Sequence, residues 1–327
     1  MTPLTINWTP PANLTDHAGN SLRSDRIFFV APPPEIGELL SADSTLEKGG
    51  KARKLDWWSV YYGLFSSVSL GFVAGLVLWV VIFLVMISLS IRDGFLFDNF
   101  HWLCLTVGFI VMMLLLRSSA LMKSAVCTFV GTNGAAICEW KDNPQERVPE
   151  TLNFKNAGEL RITQTVHYVN RAYLHTIYGF EWVNHNRQRV YYIGGVYHSQ
   201  ENKPPPEDKY HFALAAENSW SVFAYQSAVE ELKRNGTVKF NLSVGDEIIV
   251  GSGFVEIHQS GKTARCSTEE IDNVIIKQGI VSLKRKDASS GFFGIGAKGI
   301  YTFSYSDLAN ARLFILLFDS LVGVSEQ

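Results

Sequence analysis

Two long apolar stretches dominate the first half of the sequence. No charged residue occurs from Trp57 to Ile91, and a second apolar run extends from Asn99 to Leu116. A helix needs about 20 apolar residues to cross the hydrocarbon core of a bilayer. The connection between the runs is short and contains Gly94, which is typical of a turn. The pattern therefore predicts a two-helix transmembrane hairpin over residues 57–123, after a polar, proline-containing cytoplasmic tail over residues 1–56.

Basic residues surround this apolar block unevenly. Four of them precede the first run, two follow the second run, and only Arg92 lies between the runs. Positively charged residues stay on the cytoplasmic side of a membrane. The sequence thus predicts a two-pass protein of the bacterial inner (cytoplasmic) membrane, with both termini cytoplasmic and the lipid bilayer as a partner. Gly71 and Gly75 form a GxxxG pattern, which predicts a helix-packing face.

Short strand patterns separated by turn residues fill the second half. Their β-branched and aromatic residues predict strands, and two helical patterns, beginning at Ser219 and Ser306, end two successive units. The units cover residues 124–236 and 237–327. The predicted strands of the first unit are Val126–Val130, Ala135–Lys141, Glu159–Tyr168, Tyr173–Val183, Arg189–His198 and Tyr210–Ala215. Those of the second unit are Val238–Leu242, Glu247–Val250, Phe254–Gln259, Thr263–Ser267, Asn273–Lys277, Ile280–Lys286 and Gly299–Tyr305.

A run of about seven antiparallel strands closed by one helix resembles the pleckstrin-homology (PH-like) superfold. From about residue 57 to 323, the chain resembles bacterial membrane proteins with a transmembrane hairpin and tandem PH-like cytoplasmic domains. The runs EEIDNVIIKQGIVSLKR and YSDLANARLFILLF are similar to the late strands and closing helix of such domains. The predicted fold class is a membrane-anchored α+β protein, in which a two-helix transmembrane hairpin precedes two PH-like β-barrel or sheet units, each closed by a C-terminal helix. A single larger β domain with two helices remains an alternative.

Neither the composition nor the sequence motifs indicate a catalytic or cofactor-binding site. The 29 basic and 31 acidic residues give a net charge of −2, so no basic field predicts nucleic acid as a partner. The GxGxxG motif from Gly294 to Gly299 precedes a predicted strand, whereas a dinucleotide site requires a helix there. Five histidines lie between residues 167 and 211 without a recognised metal-ligand spacing. We therefore expect no catalytic residues, no metal and no cofactor. These histidines are His167, His175, His185, His198 and His211.

Two groups of residues are candidate contact sites. Basic residues beside aromatic side chains favour anionic lipid head groups. An apolar group in the last helix needs burial on several sides, in its own barrel, in a partner or in a second copy. The first group comprises Lys284, Arg285, Lys286, Lys298, Phe292 and Phe293. The second comprises Leu313, Phe314, Leu317 and Phe318.

The leading functional hypothesis is a membrane-anchored, non-catalytic binding or scaffold protein. Its PH-like domains would present a surface to a protein partner or an anionic lipid at the cytoplasmic face. One alternative is a subunit of an oligomeric membrane complex, in secretion, toxin–immunity pairing or phage defence. A third is an enzyme on the inner leaflet. In the N-terminal tail, residues 26–30 (RIFFV) are a candidate edge strand for docking, since strand addition uses such segments.

Overall fold

The computed structural model describes residues 6–22, 29–47, 51–52, 125–140, 149–242, 245–289 and 298–322. Within these residues the chain is mainly β-structure with two α-helices. Near the N-terminus, β1 (Ile6–Trp8) pairs antiparallel with β2 (Phe29–Val30). Phe29, Val30 and Leu14 are buried against Phe129 and neighbouring core residues. The N-terminal residues thus cover one face of the sheet that follows.

Two antiparallel sheets and one helix make up the first unit. Its elements are β3 (Leu39–Ser44), β6 (Ala125–Gly131), β7 (Gly134–Trp140), β8 (Glu150–Asn153), β9 (Glu159–Val169), β10 (Ala172–Val183), β11 (Arg189–Tyr197) and α1 (Lys209–Asn235). Two short strands, β4 (Leu46–Glu47) and β5 (Lys51–Ala52), form a separate pair after β3. The two sheets have the orders β3-β6-β7-β8 and β11-β10-β9. A strand from the predicted N-terminal tail, β3, therefore belongs to the first unit.

The second unit repeats this order of elements. It comprises β12 (Thr237–Asn241), β13 (Glu247–Gly251), β14 (Phe254–Gln259), β15 (Lys262–Ser267), β16 (Ile271–Lys277), β17 (Ile280–Ser289), β18 (Lys298–Ser304) and α2 (Ala311–Val322). The first four strands form one sheet and the last three form another. Buried side chains from both sheets, including Val250 and Leu283, pack with Phe314 of α2 in one core. The helix closes this unit because its apolar face completes that core.

Helix α1 starts earlier than the sequence analysis predicted. The prediction of a strand over Tyr210–Ala215 is wrong, because those residues lie inside the helix, ahead of the predicted start at Ser219. The Asp208 side chain caps the helix by accepting a hydrogen bond from Tyr210 N–H at 2.8 Å, as Asp commonly does at a helix start. Apolar residues four positions apart then share one buried face. These residues are Phe212, Ala216 and Trp220.

The predicted membrane hairpin has no counterpart among the described residues. The described residues are mainly strands, and neither of their two helices is long and apolar enough to cross a membrane. Helix α2 has 12 residues, or about 18 Å, against a hydrocarbon core of about 30 Å. Helix α1 carries charged residues such as Glu217, Glu230 and Lys233. The predicted hairpin itself, residues 57–123, lies outside the described residues.

The fold class is corrected accordingly, from a membrane-anchored α+β protein with a transmembrane helical hairpin to an architecture that, in the part of the chain described, is mainly β with two α-helices. The assignment to a bacterial inner membrane as a two-pass protein with cytoplasmic termini depended on the same hairpin, and no helix of the described residues supports it.

The two units meet at Asn310, the residue before α2. Its Oδ1 accepts hydrogen bonds from Leu160 N–H of β9 at 2.8 Å and from Trp220 Nε1–H of α1 at 2.9 Å. Its backbone N–H donates to Leu160 O at 2.8 Å. Helix α1 adds a second connection, because Trp220 packs in the core of the first unit and Ala228 in that of the second. The units are therefore joined by both a polar contact and a shared helix.

Replacing Asn310 with Ala should lower the free energy of unfolding by about 2–4 kcal/mol, because two donors are left without an acceptor. Urea denaturation measures this change. Asn202→Ala is the matched control, since Asn202 has a similar positive φ (57° against 55°) but lies in an exposed loop with one side-chain hydrogen bond, from Gln164. The Asn202→Ala substitution should lower the free energy of unfolding by no more than about 1 kcal/mol. Equal losses in the two variants would contradict the role of Asn310.

Candidate functional site

A cleft of about 760 Å³ lies between α1, the edge strand β3 and an N-terminal turn. Two apolar side chains on its walls are unusually exposed, Leu40 of β3 at 47% and Val222 of α1 at 66%. Most of the other lining residues are small, or carry hydroxyl or amide groups. They are Thr15, Asp16, His17, Gly19, Ser41, Val130, Thr132, Ala215, Asn218, Ser219, Phe223, Gln226 and Ser227.

Helix α1 provides the longer wall. Asn218, Val222 and Gln226 follow one another at four-residue intervals, so they form one stripe along the helix. Ser219, beside this stripe, is buried and donates a hydrogen bond to Gly131 O at 2.7 Å. Gly131 is required there, since a Cβ at this position would lie 2.3 Å from Ile36 O. The helix wall is thus attached to the end of β6.

A second wall is the N-terminal turn, whose polar side chains form hydrogen bonds within the protein. The Asp16 carboxylate accepts hydrogen bonds from the backbone N–H groups of Ala18 at 2.9 Å and Asn20 at 2.8 Å, an arrangement common in Asx turns. The His17 ring lies between Ser41 Oγ at 2.8 Å and Thr128 Oγ1 at 2.9 Å. Burial lowers the pKa of His17 to about 3, although the nearby Asp16 charge opposes the shift. The imidazole is therefore neutral at ordinary pH.

The described lining of the cleft has a composition typical of a binding pocket. Asp16 and His17 are the titratable side chains among its lining residues, and both make the internal hydrogen bonds described above. A general base needs a free nitrogen or oxygen within reach of the proton it removes. The remaining lining offers apolar surface with dispersed hydroxyl and amide groups, a composition typical of pockets that bind uncharged groups.

Two of the four basic residues of the predicted contact site form ion pairs within the protein. Lys284 Nζ lies 3.3 Å from Asp272 Oδ2, and Arg285 Nε lies 2.9 Å from Asp287 Oδ1. Lys286 is exposed, and Lys298 is the first residue of β18. The other predicted contact residues, Phe292, Phe293, Gly71 and Gly75, lie outside the described residues.

The predicted apolar group of the last helix is part of a core. Leu313, Phe314, Leu317 and Phe318 are each at most 5% exposed and pack within the second unit. Of the alternatives left open by the sequence, burial in the helix's own unit is the one observed. Leu316 of this helix is exposed, at 40%.

The sequence does not predict the cleft, because Val222 has the helical spacing of a core residue. Val222 shares a helical spacing with Tyr225, Val229 and Leu232, and this spacing predicts that the four side chains lie on one apolar face. In the structure, the other three pack against the second unit while Val222 faces outward. No local signal in the sequence marks this difference, since it depends on where the second unit packs.

A buried carboxylate lies on the inner side of the same helix. Glu217 is 3% exposed, and its Oε1 has no hydrogen-bond partner. Burial raises the pKa of Glu217 from its ordinary value of 4.5 to about 7, although Arg312 and a hydrogen bond with Tyr305 both oppose the shift. Both of these residues belong to the second unit, so Glu217 lies where the two units meet.

The unfolding free energy should therefore fall as pH rises from about 4.5 to 7, because the unfolded chain releases the Glu217 proton before the folded chain does. The expected loss is about 3 kcal/mol. Urea denaturation at pH 5 and pH 8 measures it. Glu217→Gln should remove most of this difference, whereas Glu230→Gln, at an exposed position of the same helix, should leave it unchanged. If the unfolding free energy of Glu217→Gln depended on pH as in the wild-type chain, Glu217 would not be the group responsible.

Comparison with known proteins gives no assignment for this chain. No protein-family model matches the sequence, and no curated protein matches it significantly. The functional interpretation therefore depends on the cleft and on the scaffold that forms it.

Proposed function

We propose that the protein is a non-catalytic binding scaffold, built from two PH-like units, that holds an uncharged, partly apolar segment of a partner protein in the cleft beside α1. The observation that carries this proposal is the pair of exposed apolar side chains, Leu40 of β3 and Val222 of α1, that line one concave site of about 760 Å³.

The order of elements supports the PH-like part of the proposal. Each unit contains a four-stranded sheet, a three-stranded sheet and a closing helix, in that order along the chain. Where such a helix packs over the end of two sheets, its outer side is free to form a groove with a neighbouring strand. In the first unit, that strand is β3, at the edge of its sheet.

The lining supports a protein segment as the ligand. Binding pockets combine apolar surface with a few polar groups that orient the ligand. Here Leu40 and Val222 offer the apolar contacts, while Asn218 and Gln226 offer amide donors and acceptors that can pair with a peptide backbone. Among the described residues, the lining carries no cation to pair with a phosphate or carboxylate. The cleft therefore favours an uncharged peptide segment over a charged metabolite.

The helix wall of the cleft is fixed by packing and hydrogen bonding within the protein itself. Helix α1 has 27 residues and packs against both cores, and Ser219 attaches it to β6. A preorganised site loses less conformational entropy on binding. This arrangement supports a scaffold role more directly than the anionic-lipid alternative, because two of the basic residues on which that alternative depends are ion-paired.

A photoreactive amino acid at Val222 of the full-length chain tests the proposal. Cross-linking in cells, followed by peptide mass spectrometry, should identify one stretch of one partner protein, or of a second copy of the chain. The same residue placed at Leu316, which is also exposed on a helix, should not give this product. Equal cross-linking from both positions would contradict the proposal.

Val222→Glu should then weaken the isolated complex by at least about tenfold, because a charge replaces an apolar contact that binding would desolvate. Since Val222 is exposed, the variant should remain folded, with a stability change within about 0.5 kcal/mol. Leu316→Glu is the matched control and should bind normally. Isothermal titration with the cross-linked partner segment measures both affinities, and full retention by Val222→Glu would overturn the proposal.

A further inference from the structure

Strand β9 forms one edge of the three-stranded sheet of the first unit, with β10 on its paired side. On the other side, the N–H and C=O of Leu160 form hydrogen bonds with Asn310, both at 2.8 Å. Backbone groups alternate between the two sides of an antiparallel strand. The N–H and C=O groups of Ile162, Gln164 and Val166 therefore point to that same side. Within the described residues, these groups have no hydrogen-bond partner there.

This free edge lies on a part of the sheet that projects from the core. Strands β9 and β10 have 11 and 12 residues, and they are the two longest strands of the described residues. From 163 to 172 every residue is exposed except Val166, which is half-buried. The edge is therefore accessible to a further strand.

The free edge also lacks the residues that usually prevent strand addition. Edge strands of natural proteins commonly carry charged side chains or proline for this purpose. Strand β16 occupies the corresponding position in the second unit, and it carries Asp272 and Lys277. From 162 to 169, β9 contains no Asp, Glu, Lys, Arg or Pro. A strand that pairs with this edge thus meets no charge.

The sequence of β9 fits an identical strand as its neighbour. Two antiparallel β9 strands can be aligned with Gln164 of one copy opposite Gln164 of the other. On the outer face of the sheet, Thr163 then lies opposite Thr165, and threonines in such a pair can form a hydrogen bond across the strands. On the inner face, Ile162 lies opposite Val166. Each face therefore pairs residues of the same kind.

The two neighbouring alignments fit less well. A centre two residues earlier would bring the second strand against Leu160, whose backbone groups are already bonded to Asn310. A centre two residues later would place the hydroxyl of Thr163 opposite the apolar side chain of Val169. The match is therefore best with Gln164 at the centre.

A second copy also removes the open edge completely. If a single strand of another protein were added to β9, its own outer side would become a new edge. In a two-fold pair, the same backbone groups of both copies bond to each other, so both edges are satisfied at once. Two three-stranded sheets then become one continuous sheet of six strands, which is a common size for a sheet.

We propose that two copies of this chain pair through their β9 strands, antiparallel and with Gln164 at the two-fold axis. The strands of the joint sheet follow the order β11-β10-β9-β9-β10-β11. The β9 residues of this interface do not line the α1 cleft, so the dimer carries two accessible clefts. The proposal does not depend on the proposed function of the cleft.

Charge substitutions at Gln164 test both the pairing and its alignment. In analytical ultracentrifugation, the full-length wild-type chain should sediment as a dimer. Gln164→Lys and Gln164→Glu should each raise the dimer dissociation constant by at least about tenfold, because like charges then lie opposite each other at the axis. An equimolar mixture of the two variants should restore the dimer, since each Lys then faces a Glu. This recovery also shows that both variants are folded.

Two controls separate pairing from other effects of these substitutions. Gln164→Ala loses the side-chain hydrogen bonds to Tyr197 and Asn202 without adding a charge, and it should dimerise like the wild-type chain. Ile276→Lys places the same charge at an exposed position of β16 and should also dimerise normally. A monomeric wild-type chain at about 100 µM, wild-type affinity in Gln164→Lys, or no recovery in the mixture would overturn the proposal.

Cysteine cross-linking provides a second measurement, which does not depend on a charge at the axis. Residues 163 and 165 lie opposite each other in the proposed pair, at a Cα separation of about 4.5 Å, which a disulfide can bridge. A mixture of Thr163→Cys and Thr165→Cys should therefore give a disulfide-linked dimer under mild oxidation, as measured by non-reducing electrophoresis. Either variant alone should not. Equal cross-linking in the mixture and in the single variants would contradict this alignment and the proposal with it.

Discussion

The hydrogen bonds of Asn310 are the contact on which the arrangement of the two units depends. One side-chain oxygen accepts from the backbone of β9 and from the indole of α1, while the backbone carbonyl accepts from Phe314 N–H in the first turn of α2. A positive φ of 55° allows the chain to turn there, and Asn tolerates this conformation better than most residues. A single residue thus directly precedes the closing helix of the second unit and binds the first unit.

The length of α1 follows from this junction. A helix of 27 residues is about 40 Å long, more than one small sheet pair can cover. Its first half is buried in the core of the first unit, and residues of its second half pack against the second unit. What remains is a narrow outer stripe through Asn218, Val222 and Gln226, and this stripe becomes one wall of the cleft. The candidate site therefore exists because the helix serves two cores at once.

Local features were predictable from sequence, and long-range ones were not. The turn at Ser260-Gly261, the strands around it and the end of α1 at Gly236 all follow from residues that favour those conformations, and the structure has them there. Strand β3 was missed because its partner β6 begins about 80 positions later in the chain, and no local pattern encodes that pairing. Val222 was placed in the core for a similar reason, since its exposure depends on the position of the second unit.

Polar contacts at the junction determine which face of α1 is exposed. Apolar packing alone tolerates several helix orientations, because many side chains fit a core of suitable volume. A shift of one residue rotates a helix by about 100°. Such a shift would remove the Trp220 indole from Asn310 and separate Glu217 from Tyr305, leaving buried polar groups without partners. The buried Glu217 costs stability near neutral pH, yet its contact with Tyr305 is made in one orientation of the helix. The polar groups at this interface thus lower the stability of the fold but specify one orientation of α1. In that orientation, Val222 faces the cleft.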